Sequence, residues 1–300
     1  MRQDNQTFYM RNLLYVFCLL LAQLGANAQE NIEFTGIIVL QDSLSIPYYL
    51  NITQTEDRIE GYSISDQGGD HETKTKVVGH YRDKELSFRE SEVVYTKSDI
   101  TVLDMCHVFF TGKLRKLTEK QTIQGDFEGF YSDLSPCADG QIMMAGFTKA
   151  RKKLDRVDRK IDKMKRFTDD QKQAINVTKV LDSVNINTLR KNQVLATQWK
   201  EPEAVLRIWD AGREDGDRVQ IRIDGSIVQR NAELKNAFIE VSIDATQDVL
   251  IEIEAINTGS EGSNTAKVTL QATGREDVEI LTNLQTGEVT KIKLVKEDIW

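Results

Sequence analysis

The strongest constraint on this chain is its rhythm. Short segments rich in β-branched and aromatic residues alternate, along nearly its whole length, with clusters of Asp, Asn, Ser and Gly. In Tyr49-Leu50-Asn51-Ile52-Thr53, Leu50 and Ile52 share one face of a strand, because successive strand side chains point to opposite sides. Between residues 33 and 149 the candidates are Glu33–Gln41, Pro47–Thr53, Arg58–Ser65, Lys74–Arg82, Glu85–Tyr95, Asp104–Leu114, Thr122–Tyr131 and Gln141–Thr148. The separators carry turn chemistry: Asp42-Ser43, Gln54–Asp57, Asp66–Asp70, Asp83-Lys84 and Asp139-Gly140. Eight short strands joined by short turns predict an antiparallel meander, whose closed form is a small up-and-down barrel. Gly36, Gly61, Gly79, Gly112, Gly125 and Gly129 recur inside these strands. A strand glycine weakens its ladder unless it permits a bend, and a tightly curved barrel needs such bends.

A second series follows: Val194–Trp199, Ala204–Trp209, Arg218–Ile223, Ser226–Gln229, Phe238–Ile243, Val249–Ile256, Ala266–Gln271, Val278–Leu281 and Glu288–Leu294. Val219, Ile221 and Ile223 oppose Gln220, Arg222 and Asp224, which is one buried and one wet face, the pattern of a two-sheet sandwich. Asp224-Gly225 is a two-residue hairpin signal. Between the two series, Leu154, Val157, Ile161, Met164 and Phe167 recur at helical spacing among lysines, arginines and aspartates. Thr168-Asp169-Asp170-Gln171 has capping-box spacing for a second short helix through about Leu181. This connector reads either as a solvated helix packed on a β body or as a basic amphipathic helix for a membrane surface or an acidic partner. The expected fold class is all-β: a barrel over 29–149, a helical connector over 150–190 and a β-sandwich over 191–300.

The N-terminus gives an address. Arg2 and Arg11 precede the apolar run Leu13–Leu21, and Ala26-Asn27-Ala28 is a small-x-small cleavage site. That is the pattern of a secretory signal peptide cut after Ala28, too short to span a bilayer. Met10-Arg11-Asn12 would itself start a normal signal, and the bulky Phe17 before Cys18 argues against lipid attachment. The expected product begins at Gln29, has no transmembrane segment and is secreted or periplasmic. A formal charge of −8 gives it no global attraction for nucleic acid, and 40% hydrophobic residues exclude disorder of the whole chain. With Cys18 in the leader, Cys106 and Cys137 remain; an oxidising compartment makes them a disulfide, against the alternative of two buried thiols.

Few residues suggest chemistry. Between two strands, Trp209-Asp210-Ala211-Gly212-Arg213-Glu214-Asp215-Gly216-Asp217 gathers four carboxylates. Flexible acidic loops hold calcium through several oxygens, so Asp210, Glu214, Asp215 and Asp217 are the candidate ligands. The spacing is not that of an EF-hand, and the competing reading is a turn whose Asp side chains bond its own amides. Asp70-His71-Glu72 is the other candidate, but zinc needs three or four convergent ligands and the chain has only His71, His80 and His107. Phosphate-loop, nucleophile-elbow and His-Glu-x-x-His motifs are all missing from the sequence.

Ile208–Asp217, Ile223-Asp224-Gly225, Glu254–Gly259 and Ser263–Ala266 resemble a secreted β module of uncharacterised Bacteroidetes proteins, and Gly69–Lys74 resembles a stretch found in the same proteins. The chain departs from that pattern at Gly262-Ser263, where prolines are expected. The resemblance implies an exported bacterial protein with an all-β C-terminal module and carries over no activity. The functional expectation is a non-catalytic binding or adhesion-type protein of the envelope or extracellular space, whose partner is an extracytoplasmic ligand or protein and which uses no nucleic acid. Its alternatives are a small-ligand carrier using the barrel and, below that, an envelope-polymer hydrolase with paired carboxylates around Asp215.

Overall fold

The computed structural model describes residues 31–41, 44–99, 104–162, 187–210, 213–260 and 262–296, with the backbone alone at 154–155 and 157–162. The leader and the expected helix over 168–181 lie outside the described residues. Eight strands form the first body: β1 (Asn31–Leu40), β2 (Ser45–Thr55), β3 (Arg58–Ser65), β4 (Thr73–Arg82), β5 (Glu85–Thr96), β6 (His107–Lys113), β7 (Thr122–Phe130) and β8 (Pro136–Gly146). Each pairs antiparallel with its neighbour, and β1 pairs with β8, closing an eight-stranded barrel. The helix α1 (Phe147–Asp162) leaves directly from β8.

Burial of one face per strand makes this barrel. Phe34, Leu50, Ile52, Ile59, Leu86, Phe88, Phe110, Ile142 and Met144 point inward and pack into one core. A barrel of eight strands has room either for its own side chains or for one small ligand, and here the side chains take it. At Gly61 the wall curves so sharply that a Cβ would strike the Asn51 carbonyl of β2; the same holds at Gly36 against Met143 of β8. At both positions only glycine lets the neighbouring backbone come so close. Cys106 and Cys137 are bridged, with Cα atoms 5.9 Å apart, tying the approach to β6 to the start of β8. Gly129 of β7 lies under the bridge, where a Cβ would sit 2.6 Å from the Cys106 sulfur.

The second body consists of β9 (Thr188–Leu189), β10 (Val194–Trp199), β11 (Glu203–Trp209), β12 (Arg218–Ile223), β13 (Ser226–Glu233), β14 (Ile239–Asp244), β15 (Val249–Ala255), β16 (Asn264–Gln271), β17 (Val278–Leu284) and β18 (Val289–Lys296). Five of these, in the order β14-β11-β16-β17-β9, form one sheet of a sandwich. The other sheet, β13-β12-β15-β18-β10, does not stop at β10. It continues through β5 into the barrel wall, giving a single run of thirteen strands. The sequence reading separates two β bodies; the structure shows them sharing a sheet.

Strand β5 is the splice. Its first half, Glu85–Arg89, pairs with β6 inside the barrel, while Thr96 at its far end pairs with Ala196 of β10. Two register shifts against β4, flanking Thr75–Lys76, lie between these halves. Bulges add local twist and turn a strand away from its partner, which lets β5 leave β6. At the fork Glu90 points into the lumen. Its carboxylate accepts the Tyr48 hydroxyl at 2.8 Å, the Ser63 hydroxyl at 2.5 Å and the Val108 N–H of β6 at 2.8 Å. The side chain thus supplies β6 with an acceptor just where the β5 backbone departs.

Candidate functional site

Following one row of residues across the shared sheet shows what the splice creates. Tyr49 pairs with Ile64, Ile64 with Lys74, and Lys74 with Tyr95. Tyr95 belongs to the sandwich core, whereas Tyr49 is flanked by Tyr48 and Leu50, which point into the barrel. Alternation along a strand therefore makes the inner face of the sandwich sheet continuous with the outer wall of the barrel. The facing sheet does not follow. Among the described residues, the outer edge of β17 is paired only with the short β9, at Leu281 and Thr282. A groove of about 470 Å³ is left between that edge and the barrel wall. Its floor carries Tyr62, Ile64, Lys74 and Tyr95, and its side is the strand edge Glu276–Leu281.

The groove is held rigidly. Arg275, just before β17, lies 4.0 Å over the Trp199 ring and donates to the Gln198 carbonyl at 2.7 Å. At the other end Lys97 and Glu72 form an ion pair at 3.2 Å with side chains only 3% and 4% exposed. Lys97 also donates to the Thr188 carbonyl of β9 at 3.1 Å, and Glu72 accepts the Tyr95 hydroxyl at 3.0 Å and the Gly68 N–H at 2.6 Å. The charges on the groove wall are matched: Lys74 reaches Glu276 at 2.8 Å and Lys267 reaches Glu279 at 3.0 Å. Lys74 also sits 4.2 Å over the Tyr62 ring. Burial pushes the Tyr62 phenol above its ordinary range, and burial followed by the Glu72 charge pushes Tyr95 well above it, so both remain neutral donors.

One group in the groove is unmatched. Asn187 is 9% exposed, and among the described residues neither its side-chain nitrogen nor its side-chain oxygen has a hydrogen-bond partner. Leaving such an amide buried and unpaired costs about 1–3 kcal/mol per group, so native structures rarely do so without a reason.

The acidic loop nominated by the sequence has another kind of order. Asp210 and Asp217 are buried. Asp217 accepts the Thr265 N–H at 2.8 Å, Asp215 accepts the Asp217 N–H at 3.3 Å, and Glu214 accepts the Asn236 N–H at 2.7 Å. The Asp215 bond is the two-residue step of an Asx turn. Asn257 and Asn264 complete the clamp, bonding the Gly216 carbonyl at 2.9 Å and the Arg218 carbonyl at 3.0 Å. Among the described residues no group of three or more His, Cys, Asp or Glu side chains is placed to hold a metal ion. The Asp70-His71-Glu72 stretch ties the two bodies together: Asp70 accepts Gln193 at 2.9 Å, Glu72 is engaged as above, and His71 is exposed.

A second depression, about 590 Å³, lies on the barrel's outer wall and includes His80, Ser87 and Asp126. Ser87 pairs with His80, but its oxygen accepts from Thr111 at 3.1 Å, and Asp126 is engaged by Gln141 at 3.2 Å. Asp126 is on β7, three strand spacings or about 14 Å from β4. It is too far to orient the imidazole, so the row is no nucleophile–base–acid relay.

No protein-family model, curated protein or solved structure matches this chain. Sequence reasoning nominated none of the groove's residues. Asn187 fell in the connector, and Tyr62 and Lys74 read as ordinary strand positions; the only local hint was Tyr62 at an outward position beside the bend at Gly61.

Proposed function

We propose that this is an exported, non-catalytic binding protein of the cell envelope or extracellular space, and that the groove beside β17 is where it holds its partner. The observation that carries the reading is Asn187: a buried amide whose donor and acceptor find no partner among the described residues, lining a cleft of ligand size. The barrel interior is filled by its own side chains, so the proposal places the ligand outside it rather than in the lumen. The leader pattern and the Cys106–Cys137 bridge both suit an oxidising compartment.

Two measurements test this. The full chain is expressed in a Gram-negative host and the exported fraction is sequenced from its N-terminus; Gln29 is expected first, and an uncleaved chain confined to the cytosol refutes the address. Native mass spectrometry of that material against Asn187→Ala then reads bound mass. The reading predicts an adduct carried by the wild type and lost in the variant. An adduct retained unchanged by Asn187→Ala, or none in either protein, removes the groove as the site.

A further inference from the structure

We infer that the groove takes an extended polypeptide segment, which adds as a short strand to the free edge of β17. This rests on the binding reading above and names the class of its ligand.

The backbone gives the first reason. The Leu281 N–H turns away from β16 and donates to the Asn187 carbonyl at 2.8 Å. Backbone groups along an antiparallel strand alternate between its two edges with period two. Glu279, and Asp277 one residue before β17, therefore present their N–H and C=O groups to the same edge as Leu281, where no strand among the described residues pairs with them. Glu279 stands opposite Thr269 of β16 in the pair type that exchanges no hydrogen bonds. This edge is a template for another strand, continuous with the ladder β9 begins.

Asn187 gives the second reason independently. A carboxamide offers one acceptor and two donors, which match the N–H and C=O of a peptide group. The third reason is charge. Lys74, Glu276, Lys267 and Glu279 are paired, and Gln271 donates to Asp277. The groove selects for unfilled backbone hydrogen bonding and not for net charge. Asp277 to Ile280 spans about 13 Å at roughly 3.3 Å per residue, so about four residues are held. Alternate side chains of the added strand would face Tyr62 and Ile64 on the barrel wall, favouring apolar or aromatic residues at every second position.

The test begins with the full chain alone. Amide hydrogen exchange is followed at Asp277 and Glu279, which should exchange rapidly. Slow exchange there without ligand means that the chain itself or a second copy already pairs the edge, and overturns the inference. Random linear peptides are then displayed and selected on the protein, and fluorescence anisotropy measures the best binder. Its binding should slow exchange at Glu279, and N-methylation of alternate peptide amides should abolish it. Glu279→Pro removes an edge donor while leaving the β16 ladder intact, and should also abolish it. Asn187→Ala should weaken binding by about tenfold or more. Selected peptides insensitive to N-methylation and to both variants overturn strand addition. If the native adduct is lost in Asn187→Ala yet no peptide binds, the groove stands as a site and this ligand class fails. If neither adduct nor peptide binds, both readings fail together.

Discussion

Replacing Glu90 by alanine tests how the barrel and the sandwich are spliced. In the folded protein its carboxylate satisfies the Tyr48 hydroxyl, the Ser63 hydroxyl and the Val108 N–H, all inside the barrel. Alanine leaves three buried donors without this acceptor, each at about 1–3 kcal/mol, partly relieved if the hydroxyls rotate to other acceptors. Because the fork itself keeps the Val108 N–H from a β5 partner, that loss has no local remedy. A total of about 4 kcal/mol is expected. With an unfolding entropy of about 2.1 cal/mol/K per residue over roughly 270 residues, this lowers Tm by about 7 °C. Glu90→Gln should cost only about 1–2 kcal/mol, because the amide oxygen can face Val108 while its NH₂ donates to the rotatable hydroxyls. Urea unfolding gives the energies and calorimetry the Tm. A loss below about 1 kcal/mol for alanine, or equal losses for both variants, would refute the role assigned to Glu90.

Other outcomes follow from the same structure. Burial disfavours the charged form of His107 and lowers its pKa, so the unfolded chain takes up the proton first as pH falls. Stability should therefore decline as pH drops below about 6.5 towards the lower folded value, and His107→Gln should flatten that part of a Tm–pH profile. Cys106→Ser with Cys137→Ser opens a loop of separation 31, which the chain-entropy model values at roughly 3.7 kcal/mol, read by the same urea titration. Gly61→Val should leave little folded protein in a solubility and circular-dichroism screen, since its Cβ meets the Asn51 carbonyl. Trp199 on β10 and Trp209 on β11 lie in the sandwich, so their fluorescence follows that body. It should change together with far-UV circular dichroism, because one sheet joins the bodies; separated transitions would show that the splice does not couple them.

The strands were legible in the sequence because burial of one face writes a period of two directly into residue order. Val194–Trp199 and Arg218–Ile223 have the same bounds in the sequence reading and in the structure, and all eight barrel strands stand within a few residues of their expected places. The Cys106–Cys137 pair was legible through compartment rather than spacing. Strand β9 was not, since two residues in parallel pairing carry no pattern of their own. Glu90 drew no attention in the sequence and Glu72 only as part of Asp70-His71-Glu72, because a carboxylate's burial depends on which hydroxyls and amides distant segments bring to it.

The amino-acid order by itself determined where strands run and turn, and which side of each is apolar, because those properties depend on immediate neighbours. Only the tertiary structure decided that β5 would leave the barrel for the sandwich and that the facing sheet would end one strand short. A groove made by the offset between two sheets belongs to no segment. Its floor, its buried amide and its edge come from three distant stretches of the chain, at Tyr62–Tyr95, Asn187 and Glu276–Leu281, and no local pattern records their meeting.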